Sequence, residues 1–84
     1  MEVTWTPRAL RQLRKIADPV AQRRIVTAVA SLRSFPDVRG IRALVNHRYG
    51  YRLRVGQWRV LFDVLPSAGV VSIEEVRRRD ERTY

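Results

Sequence analysis

From Tyr49 to Val64 the chain reads YGYRLRVGQWRVLFDV, with apolar and polar residues alternating on both sides of Gly56-Gln57. A period of two predicts strands, and glycine at the first position of a two-residue loop suits a type II′ turn, so the segment is a predicted hairpin. The turn fixes the register: Val55 faces Trp58, Arg54 faces Arg59, Leu53 faces Val60, Arg52 faces Leu61 and Tyr51 faces Phe62. One face then carries Tyr49, Tyr51, Leu53, Val55, Trp58, Val60, Phe62 and Val64. The other carries Arg52, Arg54 and Arg59, with Asp63 further along. Like charges directly opposite each other on a sheet repel, so the Arg54/Arg59 pair reads as a prepared anion site.

The rest of the chain supplies what covers the apolar face. Glu2 to Trp5 alternates and is rich in strand formers, which predicts a short strand. Thr6-Pro7 is a helix start, a capping side chain followed by proline at the first helical position. The helix it opens carries Leu10, Leu13, Ile16 and Ala17 on one stripe. Asp18-Pro19 ends that helix and caps a second, which runs to about Ser34 with Val29 and Leu32, joined by either Ile25 or Val26, as its buried stripe. Ser34 to Gly40 reads as loop, and Ile41 to His47 lacks a clear period. Pro66-Ser67-Ala68-Gly69 is a turn into a last strand from Val70 to about Val76. The expected architecture is one α+β domain over residues 1–84: an N-terminal strand, a two-helix hairpin, then a three-stranded, mainly antiparallel sheet. The helices cover one face, which leaves the arginine face open.

Charge sharpens this picture. The chain has 84 residues and a formal net charge of +9, with sixteen arginines and one lysine. Such an imbalance costs self-repulsion in the compact state and points to a polyanionic partner, nucleic acid first and an acidic protein second. There is no cysteine, which excludes disulfides and thiolate metal sites. No apolar run approaches a membrane span and the N-terminus lacks a signal-peptide core, so a cytoplasmic location without membrane association is expected. A single histidine, His47, excludes a two-histidine ribonuclease mechanism.

The opening TPRALRQLRKI, the YRLRVGQWRVLFDV hairpin and the closing VRRRDERTY together resemble the RelE/ParE superfamily, the toxins of bacterial type II toxin-antitoxin systems. The likeness spans nearly the whole chain and implies a RelE-like fold. Basic residues ahead of a final tyrosine favour the RelE branch, whose members cut messenger RNA, usually in the ribosomal A site. By position, the resemblance implies that Arg59 supports the scissile phosphate, that Arg78 and Tyr84 complete the catalytic set, and that Arg52, Arg54, Arg77 and Arg79 bind RNA. It also implies a cognate antitoxin, with an acidic or amphipathic segment, in a hetero-oligomer, and ribosome and messenger RNA as further partners. The alternative is a ParE-type toxin that inhibits DNA gyrase without cutting RNA.

The chemistry of the nuclease reading needs no metal or cofactor. The 2′-hydroxyl loses a proton and attacks phosphorus, and the added negative charge is stabilised while the leaving oxygen departs. Tyr84 is the base if guanidinium charge lowers a phenol that ordinarily titrates near ~10. Arginine holds its own proton and clamps phosphate oxygens instead. The proton donor stays open between His47, ribosomal RNA and unassisted departure.

Overall fold

The computed structural model describes residues 1–79. Five strands form one sheet: β1 (Glu2–Trp5), β2 (Ile41–Ala43), β3 (Tyr51–Val55), β4 (Trp58–Leu65) and β5 (Val70–Arg78). Helices α1 (Pro7–Arg14) and α2 (Pro19–Ala30) follow β1, and α2 continues into a 3₁₀ turn, Ser31–Ser34. The α+β class agrees with the sequence. The sheet has two more members than its three expected strands, because the first strand joins it and Ile41–Ala43 forms an edge.

Its spatial order is β1-β5-β4-β3-β2. All neighbours are antiparallel except β1, which runs parallel to β5 with Glu2 opposite Val70. The N-terminal strand is thus fixed by the last one, through Glu2 N–H to the Gly69 carbonyl at 2.8 Å and Thr6 N–H to the Ile73 carbonyl at 3.0 Å.

Both helix starts form as their residues dictate. Thr6 Oγ1 accepts from Ala9 N–H at 3.1 Å and Asp18 Oδ1 from Val20 N–H at 2.9 Å, each ahead of a proline that has no N–H to leave unsatisfied. The buried stripe of α2 is Ile25 and Val29, continued by Leu32, while Val26 is 46 % exposed. On α1 the stripe is Ala9 and Leu13, with Ile16 just beyond; Leu10 is only partly buried and Ala17 is exposed, a one-residue rotation from the expected stripe.

The core lies between the helices and one sheet face, where Leu53, Val55, Val60, Phe62, Val71, Ile73 and Val76 are buried. The hairpin register is the expected one at all five pairs. Gly40 secures the approach to the edge strand. At φ +83° its backbone suits glycine, its carbonyl accepts from Arg54 N–H at 3.0 Å, and a Cβ there would lie 3.3 Å from the Arg54 carbonyl oxygen.

Strand β5 carries a bulge. Leu61 pairs with Glu75 but Phe62 pairs with Ile73, so Glu74 is an extra residue between them. Such an insertion reverses which face each later side chain meets. Val76 therefore joins the core, and Glu75 and Arg77 turn to the opposite face. Among the described residues, no helix is long and apolar enough to cross a membrane.

Candidate functional site

The face away from the helices is organised by two rows of cross-strand partners. Arg54 lies opposite Arg59, and Arg59 lies opposite Arg77, so three arginines stand in register across β3, β4 and β5. In the second row Arg42 faces Arg52, Arg52 faces Leu61, and Leu61 faces Glu75. Adjacent strands are only about 5 Å apart. Like charges directly opposite each other across strands are destabilising unless something negative lies between them. Arg54 is exposed, while Arg52, Arg59 and Arg77 are half-buried. A surface that holds five arginines against two carboxylates, Asp63 and Glu75, suits an anionic ligand spanning several strands.

The segment between β2 and β3 folds over part of this face. Leu44 N–H donates to the Gly50 carbonyl at 2.9 Å, and Gly50 N–H donates to Asp63 Oδ1 at 2.7 Å. Asp63 thus holds the loop. Tyr49, expected on the core face, instead lies ahead of β3, 7 % exposed and outside the core cluster. The reason is local: Gly50 precedes the strand, so the two-residue alternation does not reach back to Tyr49. With Asn46, His47, Arg48, Leu61, Glu75 and Arg77 it lines a cavity of about 270 Å³.

Glu75 is the one buried charged residue among the described residues, 5 % exposed. Burial alone would raise its carboxyl. Hydrogen bonds from Tyr49 and Arg77, the Arg77 charge, and a hydrogen bond from Gln12 outweigh that and hold it below the usual carboxylate range. Arg77 Nε donates to Glu75 Oε1 at 2.8 Å, and Arg8 Nη1 lies 3.9 Å from Oε2. The Tyr49 phenol is shifted the opposite way: burial, the hydrogen bond to Glu75 and the carboxylate's charge all raise it. It is a donor in this site. His47 Nδ1 accepts from Tyr49 N–H at 3.0 Å.

The predicted site residues divide between the two faces. Arg52, Arg54, Arg59 and Arg77 share the arginine face. Arg78 does not: it lies opposite Trp58, its guanidinium carbon is 5.5 Å from the Trp58 ring centroid, and its Nη2 donates to Gln57 Oε1 at 3.4 Å. The bulge is the physical cause, since strict alternation along β5 would have put Arg78 on the arginine face and Arg77 in the core. Arg79 is exposed beyond the strand, its N–H bonded to the Gln57 carbonyl at 2.7 Å. Tyr84 lies outside the described residues.

Sequence reasoning missed Tyr49 and Glu75 as partners. The signal was present: Ile73 and Val76, both apolar, are three apart instead of two, which marks a phase break in the last strand.

One face of the sheet packs on a helix pair and the other carries in-register arginines. The chain belongs to the family described as the ParE toxin of type II toxin-antitoxin systems, parDE, which it matches over residues 3–83; it is a toxin of that class. Its fold is RelE-like. It superposes on RelE in the archaeal RelE-RelB complex from Pyrococcus horikoshii OT3 with a TM-score of 0.78 at 21 % identity, covering 96 % of this chain and 97 % of that one. The toxin-antitoxin complex RelBE2 from Mycobacterium tuberculosis gives a TM-score of 0.77 at 24 % identity, over 93 % and 96 % of the two chains. The isolated E. coli RelE toxin gives 0.77 at 15 % identity, over 98 % and 87 %. No curated protein sequence matches.

Proposed function

We propose that this toxin is a metal-independent endoribonuclease that cuts messenger RNA on the ribosome, in the cytoplasm. A cognate antitoxin restrains it by laying an acidic or amphipathic segment across the arginine face, forming a hetero-oligomer. The observation that carries the reading is the Arg54, Arg59 and Arg77 row, a line of cationic side chains across three strands that a phosphodiester backbone complements. The structural neighbours named as RelE toxins and RelE-RelB complexes support it.

In this mechanism Arg59 and Arg77 hold the non-bridging oxygens and gain most when the phosphorus becomes five-coordinate, since charge accumulates there in the transition state. Arg52 and Arg54 align the flanking backbone. Tyr84 takes the proton from the 2′-hydroxyl, whose oxygen forms the new bond to phosphorus as the bond to the 5′ oxygen breaks and that oxygen leaves, taking a proton from His47, ribosomal RNA or solvent. Arg78, held beside Trp58, acts at the start of the tail that carries Tyr84, with Arg79 contacting RNA backbone.

A second reading, gyrase inhibition without RNA cleavage, is favoured by the position of Arg78 across the sheet from Arg59 and by the family match, which is to the ParE toxin. Primer extension on an inducible reporter messenger, translated or not, separates the two. Cuts confined to translated codons support the nuclease. Intact messenger with supercoiling defects supports the gyrase reading.

A further inference from the structure

Glu75 presents a contradiction. It is a buried, ionised carboxylate on a face otherwise arranged to receive anions, where its charge opposes the ligand. The chain reaches this position only through the bulge at Glu74, without which Glu75 would share the parity of Val71 and Ile73 and enter the core. Three residues from two separate elements converge on it. Arg8 and Gln12 come from α1, and Tyr49 from the loop before β3. Gln12 is itself fixed, its Oε1 accepting from Val76 N–H at 2.7 Å. The fourth contact runs toward the arginine row, through the 2.8 Å bond from Arg77 Nε. An Nε bond of this kind sets the plane and direction of the guanidinium, and Arg77 is the cross-strand partner of Arg59.

We propose that Glu75, locked by Tyr49 and Gln12, is a positioning residue that orients the Arg77 guanidinium beside Arg59 for the phosphoryl transition state. The inference rests on the nuclease reading. Its action is preorganisation: the carboxylate contributes nothing to holding RNA, and it spares the enzyme the reorientation of Arg77 as charge builds on phosphorus. The two roles predict opposite signs for binding and for rate.

The test is single-turnover cleavage of messenger on programmed ribosomes, with binding of a short single-stranded RNA measured in parallel. Glu75→Gln, which keeps the shape and removes the charge, is expected to bind the RNA as tightly as wild type or tighter. It is expected to cleave roughly 10- to 100-fold more slowly, the scale of one misaligned clamp. A merely structural role would lower the melting temperature without slowing the folded fraction. The effect is expected to vanish when Arg77 is gone, so Arg77→Ala and Glu75→Gln/Arg77→Ala cut at the same rate. Should Glu75→Gln fail to fold, Tyr49→Phe removes only the phenol's hydrogen bond, and a smaller slowing with unchanged RNA affinity is expected. Wild-type cleavage together with additive losses in the double variant, or an unslowed Glu75→Gln, overturns this inference alone. A wild type that leaves messenger intact overturns the nuclease reading and this inference with it.

Discussion

The two faces of the central strands differ in kind. On the helix side, the Phe62 ring stacks on Tyr51 at 5.4 Å and meets Phe35 edge-on at 6.1 Å, with Val60, Ile73 and Val76 around it. On the other side, only an alternate residue away along the same strands, Arg54, Arg59 and Arg77 stand side by side. One face gains free energy by excluding water. The other sets arginine beside arginine across three strands, with Glu75 bonded to Arg77 at one end. In a domain this small, with little stability in reserve, such a row adds little to what the core supplies.

Substitutions should separate the faces cleanly. The largest effect is expected from Phe62→Ala, which opens a cavity in the fully buried core and should cost about 3–5 kcal/mol, enough to unfold much of the population in chemical denaturation. Arg59→Ala should do the reverse. Melting should fall far less than for Phe62→Ala, while cleavage on programmed ribosomes falls about 100- to 1000-fold. A destabilised Arg59→Ala with full activity per folded molecule would dissolve the contrast.

Much of this division was legible in the chain. Gly56-Gln57 set the hairpin register because a two-residue loop permits few alternatives, and Thr6-Pro7 and Asp18-Pro19 marked both helix starts because capping is decided locally. What lay beyond local rules was not legible. The parallel pairing of β1 with β5 joins residues about seventy positions apart. Ile41–Ala43 is too short and too exposed to show a period. The bulge at Glu74 moved Arg78 off the arginine face and Arg77 onto it, and Tyr49 was misplaced by extending the alternation through Gly50.

Two weaker effects sharpen the account of how the arginine face is held. Gly40→Ala forces a left-handed backbone and a close approach to the Arg54 carbonyl, and should cost about 1–2 kcal/mol in denaturant titration with little loss of RNA affinity. Acid should act through Glu75. Its carboxyl is lowered in the folded state, so its contribution is complete above the unfolded value near ~4.3 and is lost as pH falls through the folded one. Melting temperatures between pH 7 and pH 3 should therefore fall less steeply for Glu75→Gln than for wild type.

The arginine row as a phosphate site is tested most directly by the salt dependence of RNA affinity. Titrating a short single-stranded RNA from low to moderate salt should give a steep log–log slope for wild type. For the triple variant Arg54→Gln, Arg59→Gln, Arg77→Gln, the slope should be shallower by about 2, from roughly 0.7 per lost phosphate contact. Parallel lines for the two proteins, with both folded, would contradict the claim that these three guanidiniums hold the backbone.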